Sequence, residues 1–167
     1  MTLATHILVA GAVSKPFLGP FNPLLIFVLS GTSHYMADFI PHYDYKLKSI
    51  EWDEENKAST KIVPKTEKII YDLLNISIDI LTGTFILVAT THPAFNLENI
   101  ITYTMIVLGG ILPDALQPVY IMLKKFPMTW IQNLHDFFHA ETRLKFGRLA
   151  LLSQGALCLI SIYFLIK

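Results

Sequence analysis

Residues 100–123 read IITYTMIVLGGILPDALQPVYIML, and this run decides the fold. Its only charged residue is Asp114, and it is long enough to cross a hydrocarbon core of ~30 Å as a helix. The bilayer interior offers the backbone no hydrogen-bond partners, so such a span is helical even where β-branched residues are frequent. Working outward, residues 69–91 and 146–166 are apolar runs of similar length. Residues 24–40 form a shorter run that ends at Pro41. Residues 2–14 are apolar but too short to cross a bilayer upright. Pro16, Gly19, Pro20 and Pro23 then mark a turn. Ala10-Gly11-Ala12 has the small residues of a signal-peptide cleavage site. The run is short, however, and no basic residue precedes it, so residues 1–14 read as part of the fold. Whether they span, re-enter or are cleaved stays open at this level. The expectation is an all-α integral membrane protein: two helical hairpins, a short amphipathic helix and a C-terminal transmembrane helix, in a single transmembrane helical domain over residues 1–167.

Composition agrees with that reading. Of the 167 residues, 53% are hydrophobic and 16% charged, and the mean hydropathy is +0.49. A soluble domain carries more charge than this. The formal net charge of zero gives no electrostatic case for nucleic acid. Cys158 is the sole cysteine, which excludes an internal disulfide framework and a cysteine-rich zinc site. Any metal would be held by His, Asp and Glu.

The polar segments are unequal. Residues 42–67 form a long charged loop, and residues 124–145 form another, within which 128–141 reads as a short amphipathic helix. Two hairpins, formed from the first four apolar runs, place both loops on one side. That side holds all but Lys15 and Lys167 of the 13 Lys and Arg residues. The positive-inside rule then turns it to the cytoplasm. Val28-Leu29-Ser30-Gly31 and Val107-Leu108-Gly109-Gly110 are weakly alike, each followed by an Asp and then a Pro, which suggests a faint internal repeat.

The titratable residues near the apolar runs lie almost entirely on that side. They are His6, His34, Asp38, His42, Asp44, Asp72, Asp79, Asp114, His135, Asp136, His139 and Glu141; among the histidines and aspartates only His92 falls on the other. Ionisable side chains in membrane helices are costly and are candidate functional groups by default. His34 and Asp38 are four residues apart, as are His135 and His139, so each pair shares a helix face and can converge on one ion. Plainer roles compete. His34 could bond to a neighbouring carbonyl. Asp38 could cap a helix or meet water. Asp114, after Pro113, could satisfy donors at a helix break. His135 and His139 could be interfacial, beside Trp130 and Phe137. Asp72 pairs plausibly with Lys68 and reads as structural. Asp79 lies roughly 16 Å into its helix, where a lone carboxylate needs a partner. Trp52, Trp130, Tyr43, Tyr45 and Tyr120 read as an interfacial belt.

Thr5-His6, Gly109-Gly110-Ile111-Leu112-Pro113-Asp114 and the later pair His135 and His139 together resemble the bacterial and archaeal family of small membrane-bound, metal-dependent hydrolases. That family shows an N-terminal Thr-His, a Gly-rich segment ending in Leu-Pro-Asp and a later segment with two histidines. The usual Leu-Pro-Asp-x-Asp-His continues here as Asp114-Ala115-Leu116-Gln117, without the second Asp and the His. The later segment, His135-Asp136-Phe137-Phe138-His139, is one residue shorter than usual. Residues 33–42 also resemble the zinc-binding His-x-x-x-Asp helix of zinc-dependent phospholipase C and related nucleases. The resemblance implies a metal-dependent hydrolase in the inner (cytoplasmic) membrane of a bacterial or archaeal cell. Its site would face the cytoplasm and bind a divalent metal, with zinc the expected ion. The expected ligands are His6, His34, Asp38, Asp114, His135 and His139. Asp79 is the expected catalytic residue, as a carboxylate supporting the site or a further ligand. Besides the lipid bilayer, the expected partner is a lipid or phosphoester substrate, with no nucleic acid. The oligomeric state stays open. A small metal-ion or proton transporter and a non-catalytic scaffold with a degenerate metal site are the alternatives.

Overall fold

The computed structural model describes residues 1–53, 59–139 and 147–167. Lys57, Glu141, Arg143 and Lys145, which entered the reading above, lie outside the described residues. The chain runs α1 (Leu3–Ser14), α2 (Pro23–Asp38), β1 (Ile50–Glu51), β2 (Lys61–Ile62), α3 (Thr66–Thr91), α4 (Leu97–Leu123), α5 (Met128–His139) and α6 (Gly147–Ile166). A 3₁₀ turn at Lys15–Phe17 follows α1. The helix starts carry recognisable chemistry. Asn22 and Asn96 accept the N–H groups of Leu25 and Asn99, and Pro23 occupies the first turn of α2. Three helices, α3, α4 and α6, are long and apolar enough to cross a membrane. Their outer faces expose Leu73, Ile78, Leu81, Phe85, Met122, Leu152 and Leu159.

The shortest apolar run lies at the centre. α1 is apolar or small on nearly every side, the pattern of a helix buried all round. Thr5, His6, Ile7, Leu8, Ala10 and Gly11 are all buried. α2, α3, α4 and α6 pack around it. Small residues let the backbones approach closely. A Cβ on Gly83 of α3 would stand 2.7 Å from the Ala4 Cα, and one on Gly110 of α4 would stand 3.2 Å from the Ala10 Cβ. A Cβ on Gly109 would stand 2.6 Å from the Phe27 carbonyl oxygen, which brings α4 onto α2. The two segments of the faint repeat therefore meet face to face.

Contacts along α1 set the directions. Ala4 meets Gly83 and Gly11 meets Leu87, so α3 runs parallel to α1. Thr5 meets Cys158 and Lys15 caps the carbonyls of Phe164 and Leu165, so α6 does too. Ser14 meets Ser30, so α2 runs antiparallel. The starts of α1, α3 and α6 thus share one end of the bundle with the ends of α2 and α4.

Three expectations need correction. α1 and α2 form a hairpin, but α3 and α4 pack on α1 rather than along each other. Pro113 does not break α4: both Pro113 and Pro118 lie inside a continuous helix, although each proline removes one intrahelical hydrogen bond. Asp72 does not rely on Lys68; its carboxylate accepts the backbone N–H groups of Lys48 at 3.0 Å and Ser49 at 2.6 Å. The 42–67 loop also carries structure, since Ile50 pairs with Ile62 and Glu51 with Lys61 in an antiparallel ribbon.

Candidate metal centre

Four helices supply the candidate ligands. His6 comes from the first turns of α1, His34 and Asp38 from the last turns of α2, Asp114 from α4, and His135 and His139 from α5. These six sequence-selected residues are brought together. Nε2 of His6, His34 and His139 lie 3.3, 3.2 and 2.9 Å from the carboxylate of Asp38. The Asp114 carboxylate lies 3.1 Å from Nε2 of His135 and 3.8 Å from those of His34 and His6. His6, His34, Asp38 and His135 have no solvent exposure. The His6 and His34 rings stack at 3.7 Å between centroids. Asp114 stands nine residues before the end of α4, ~14 Å along the axis, so the cluster lies well inside the bundle. Phe138 of α5 packs on Tyr35 and Phe39 of α2, closing an aromatic wall beside it.

The tautomers follow from the hydrogen bonds. A carbonyl oxygen only accepts, so His34 Nδ1–H donates to the Gly110 carbonyl at 2.7 Å. The plain carbonyl-bonding role weighed for His34 is therefore real, and it turns the basic Nε2 into the cluster. A partner on the far nitrogen is the usual way to orient a metal-binding imidazole.

The donor set fits a divalent cation. Nε2 of His6 and His34 and both oxygens of Asp38 are buried and make no hydrogen bond. Nε2 of His34 faces the Asp38 carboxylate across 3.2 Å, a separation that a shared proton or a cation between them would satisfy. Two donors each ~2.1 Å from a tetrahedral ion stand about 3.4 Å apart, close to the separations above. Three overlapping sets each bring their ligand atoms within 4.8 Å of one another: His6, His34 and Asp38; His34, Asp114 and His135; and Asp38, His42 and His139.

Comparison with protein-family models, curated proteins and solved structures found no match. The site is therefore read from its own geometry.

Asp79, expected as a catalytic carboxylate, stands outside the cluster. It accepts the N–H groups of Leu3 at 2.6 Å and Ala4 at 3.2 Å, so the partner that its depth demanded is the start of α1. Those N–H groups have no partner within the helix and carry the positive end of its dipole. Asp79 thereby fixes the helix that presents His6.

Sequence reasoning omitted three groups from the ligand set. His42 lies just past Pro41, with its Nδ1–H on the Ile40 carbonyl at 2.7 Å and its Nε2 3.8 Å from Asp38. Its spacing of four from Asp38 was the available signal. Asp44 lies 3.3 Å from His42 Nε2 and also meets the N-terminal ammonium of Met1. Partial burial would raise the Asp44 carboxyl, but the hydrogen bond with His42 and the ammonium charge hold it well below the usual carboxylate range. Gln117, where the resembled motif has His, donates to Asp114 at 2.9 Å. Burial keeps the His139 imidazole below its ordinary value although Asp38 pulls the other way.

Proposed function

We propose that the chain is a membrane-embedded, metal-dependent hydrolase acting on a phosphoester or lipid head group. The observation that carries this reading is Asp38: a carboxylate with no exposure, no hydrogen bond to either oxygen, and the Nε2 atoms of His6, His34 and His139 within 3.3 Å. His6, His34, Asp38, Asp114, His135 and His139 would hold the ion, with zinc suited to the mixture of imidazole and carboxylate. A bound divalent ion supplies Lewis acidity and lowers the pKa of water towards ~7. The chain's own part is to fix the imidazole tautomers through the Gly110 and Ile40 carbonyls, to orient Asp114 through Gln117, and to exclude bulk water with Phe39 and Phe138.

The apolar outer faces of α3, α4 and α6 support residence in a bilayer. The excess of Lys at the site's end supports a cytoplasmic orientation in the inner membrane of a bacterial or archaeal cell. Hydrolysis is favoured over ion transport because Asp79, the carboxylate best placed to continue a path, is engaged by the amides of Leu3 and Ala4. Detergent-purified protein should hydrolyse a chromogenic phosphodiester, or release head groups from mixed lipid micelles. A chelator should abolish that activity and added zinc restore it, while Asp38→Ala should have none. Zinc-loaded protein inert on every phosphoester and lipid head group tried would contradict the hydrolase reading.

A further inference from the structure

α5 is inverted relative to a helix in water, which buries its apolar face and exposes its polar one. It buries Gln132, His135 and His139, and it exposes Trp130 at 62% and Phe137 at 67%. These two aromatics share one face, seven residues apart, with the exposed Asn133 between them. Phe126, just ahead of the helix, is 83% exposed. Phe39 of α2 meets Phe137 edge-on, with 6.4 Å between ring centroids, and is itself half exposed. Polar groups turned to the bundle and apolar ones turned outward is the order of a helix bathed in lipid. The depth of α5 agrees. His135 lies 3.1 Å from Asp114, which stands ~14 Å along α4 from that helix's end. α5 therefore folds back against α4 instead of continuing away from it. Its 12 residues are fewer than the ~20 that a span requires, and α6 begins at the same end of the bundle.

We propose that α5 is a re-entrant helix whose aromatic outer face lies in the head-group and upper acyl layer of the bilayer, so that lipid packs His135 and His139 into the metal centre. This rests on the bilayer residence proposed above and makes lipid a structural partner of the site itself. Two observations choose lipid as the occupant of this face. Met36 on α2, and Met122 and Leu123 on α4, are exposed on the two helices that α5 packs against, so the apolar surface continues beyond α5. Lys124 and Lys125 are exposed at the turn between α4 and α5, where basic side chains meet anionic head groups. The inner side of α5 offers little apolar grip. Phe138 packs on Tyr35 and Phe39, but the fully buried positions are polar. Aromatic side chains anchored in the interface supply the missing hold.

The test uses the full-length protein in nanodiscs of phosphatidylcholine and phosphatidylglycerol. Trp52→Phe leaves Trp130 as the sole indole. Lipids brominated on the upper acyl chain should quench its fluorescence, and aqueous iodide should not. A reference protein carries Trp52→Phe, Trp130→Phe and Phe85→Trp, which puts the indole on the outer face of α3. Zinc affinity reports the coupling. Trp130→Ser with Phe137→Ser should weaken it by about tenfold or more, the loss usual when a group supporting a ligand is removed, whereas Phe85→Ser should leave it unchanged. Trp130 quenched by iodide, or by neither reagent while the reference indole is quenched by brominated lipid, would overturn the inference and leave bilayer residence standing. Iodide quenching of both indoles would overturn bilayer residence as well. Lipid quenching of Trp130 with zinc affinity unchanged in the double variant would overturn the part of lipid in the metal centre.

Discussion

At the scale of single residues, the site depends on carboxylates and imidazoles that have no other reason to share a dry space. Asp38 bears the greatest demand, since both of its oxygens lack hydrogen bonds. Asp38→Asn keeps the shape but removes the charge, and it should weaken zinc binding by more than about 100-fold, beyond the loss usual for an outer-shell partner. Competition with a fluorescent chelator measures this, and an affinity within threefold of wild type would count against Asp38 as a ligand. The ligand candidates were legible because titratable side chains are rare in membrane helices, so each of His6, His34, Asp38 and Asp114 stood out. His42 was harder to select because Pro41 ends the helical pattern just before it, and a loop residue carries no face. Asp79 was legible as a carboxylate deep in its helix but not in its role, because Leu3 and Ala4 engage it through backbone amides, which no sequence pattern displays.

At the scale of elements, α1 is the piece that the rest of the fold serves. Asp79 anchors its start, glycines on α3 and α4 admit it, and Lys15 ties the turn after it to the end of α6. Asp79→Ala should therefore cost about 1–2 kcal/mol, the range for losing a helix N-cap, seen as a fall in thermal midpoint in detergent. Zinc should still bind, because the ligands remain. Loss of all zinc with an unchanged midpoint would instead give Asp79 a direct part in the site. Gly83→Ala forces a Cβ against the Ala4 backbone, with no flexible side chain to yield. It should cost about 1–3 kcal/mol, whereas Gly155→Ala, with open space around it, should be near neutral. The helix boundaries were legible from apolar run length and from Pro and Gly punctuation, whereas the Asn22 and Asn96 caps emerged only with the structure. The central position of α1 was not, because a short apolar run reads the same whether it is shielded by protein or fails to span. The separation of α3 from α4 was likewise hidden, since chain adjacency suggests a packed hairpin when another helix can lie between.

At the scale of the whole molecule, the described basic residues other than Lys15 and Lys167 gather at the end that carries the site, and the apolar faces of α3, α4 and α6 look outward. In a Cys158→Ser background, cysteines placed at Lys65 and Lys125 should react with a membrane-impermeant thiol reagent from the same side. A cysteine at Phe95, which is 95% exposed, should react only from the other. Labelling of all three from one side would contradict the proposed membrane topology. The general layout was legible because hydropathy and charge asymmetry act over whole segments. Convergence of the ligands was not, because it depends on helix directions and close glycine contacts that only the folded arrangement fixes. The central claim is that this convergence makes a metal site, and equilibrium dialysis of chelator-stripped protein against zinc tests it most directly. Wild-type protein should retain zinc, and Asp38→Ala, folded by circular dichroism, should not; wild-type protein that retains none, or no more than the variant, would contradict the account.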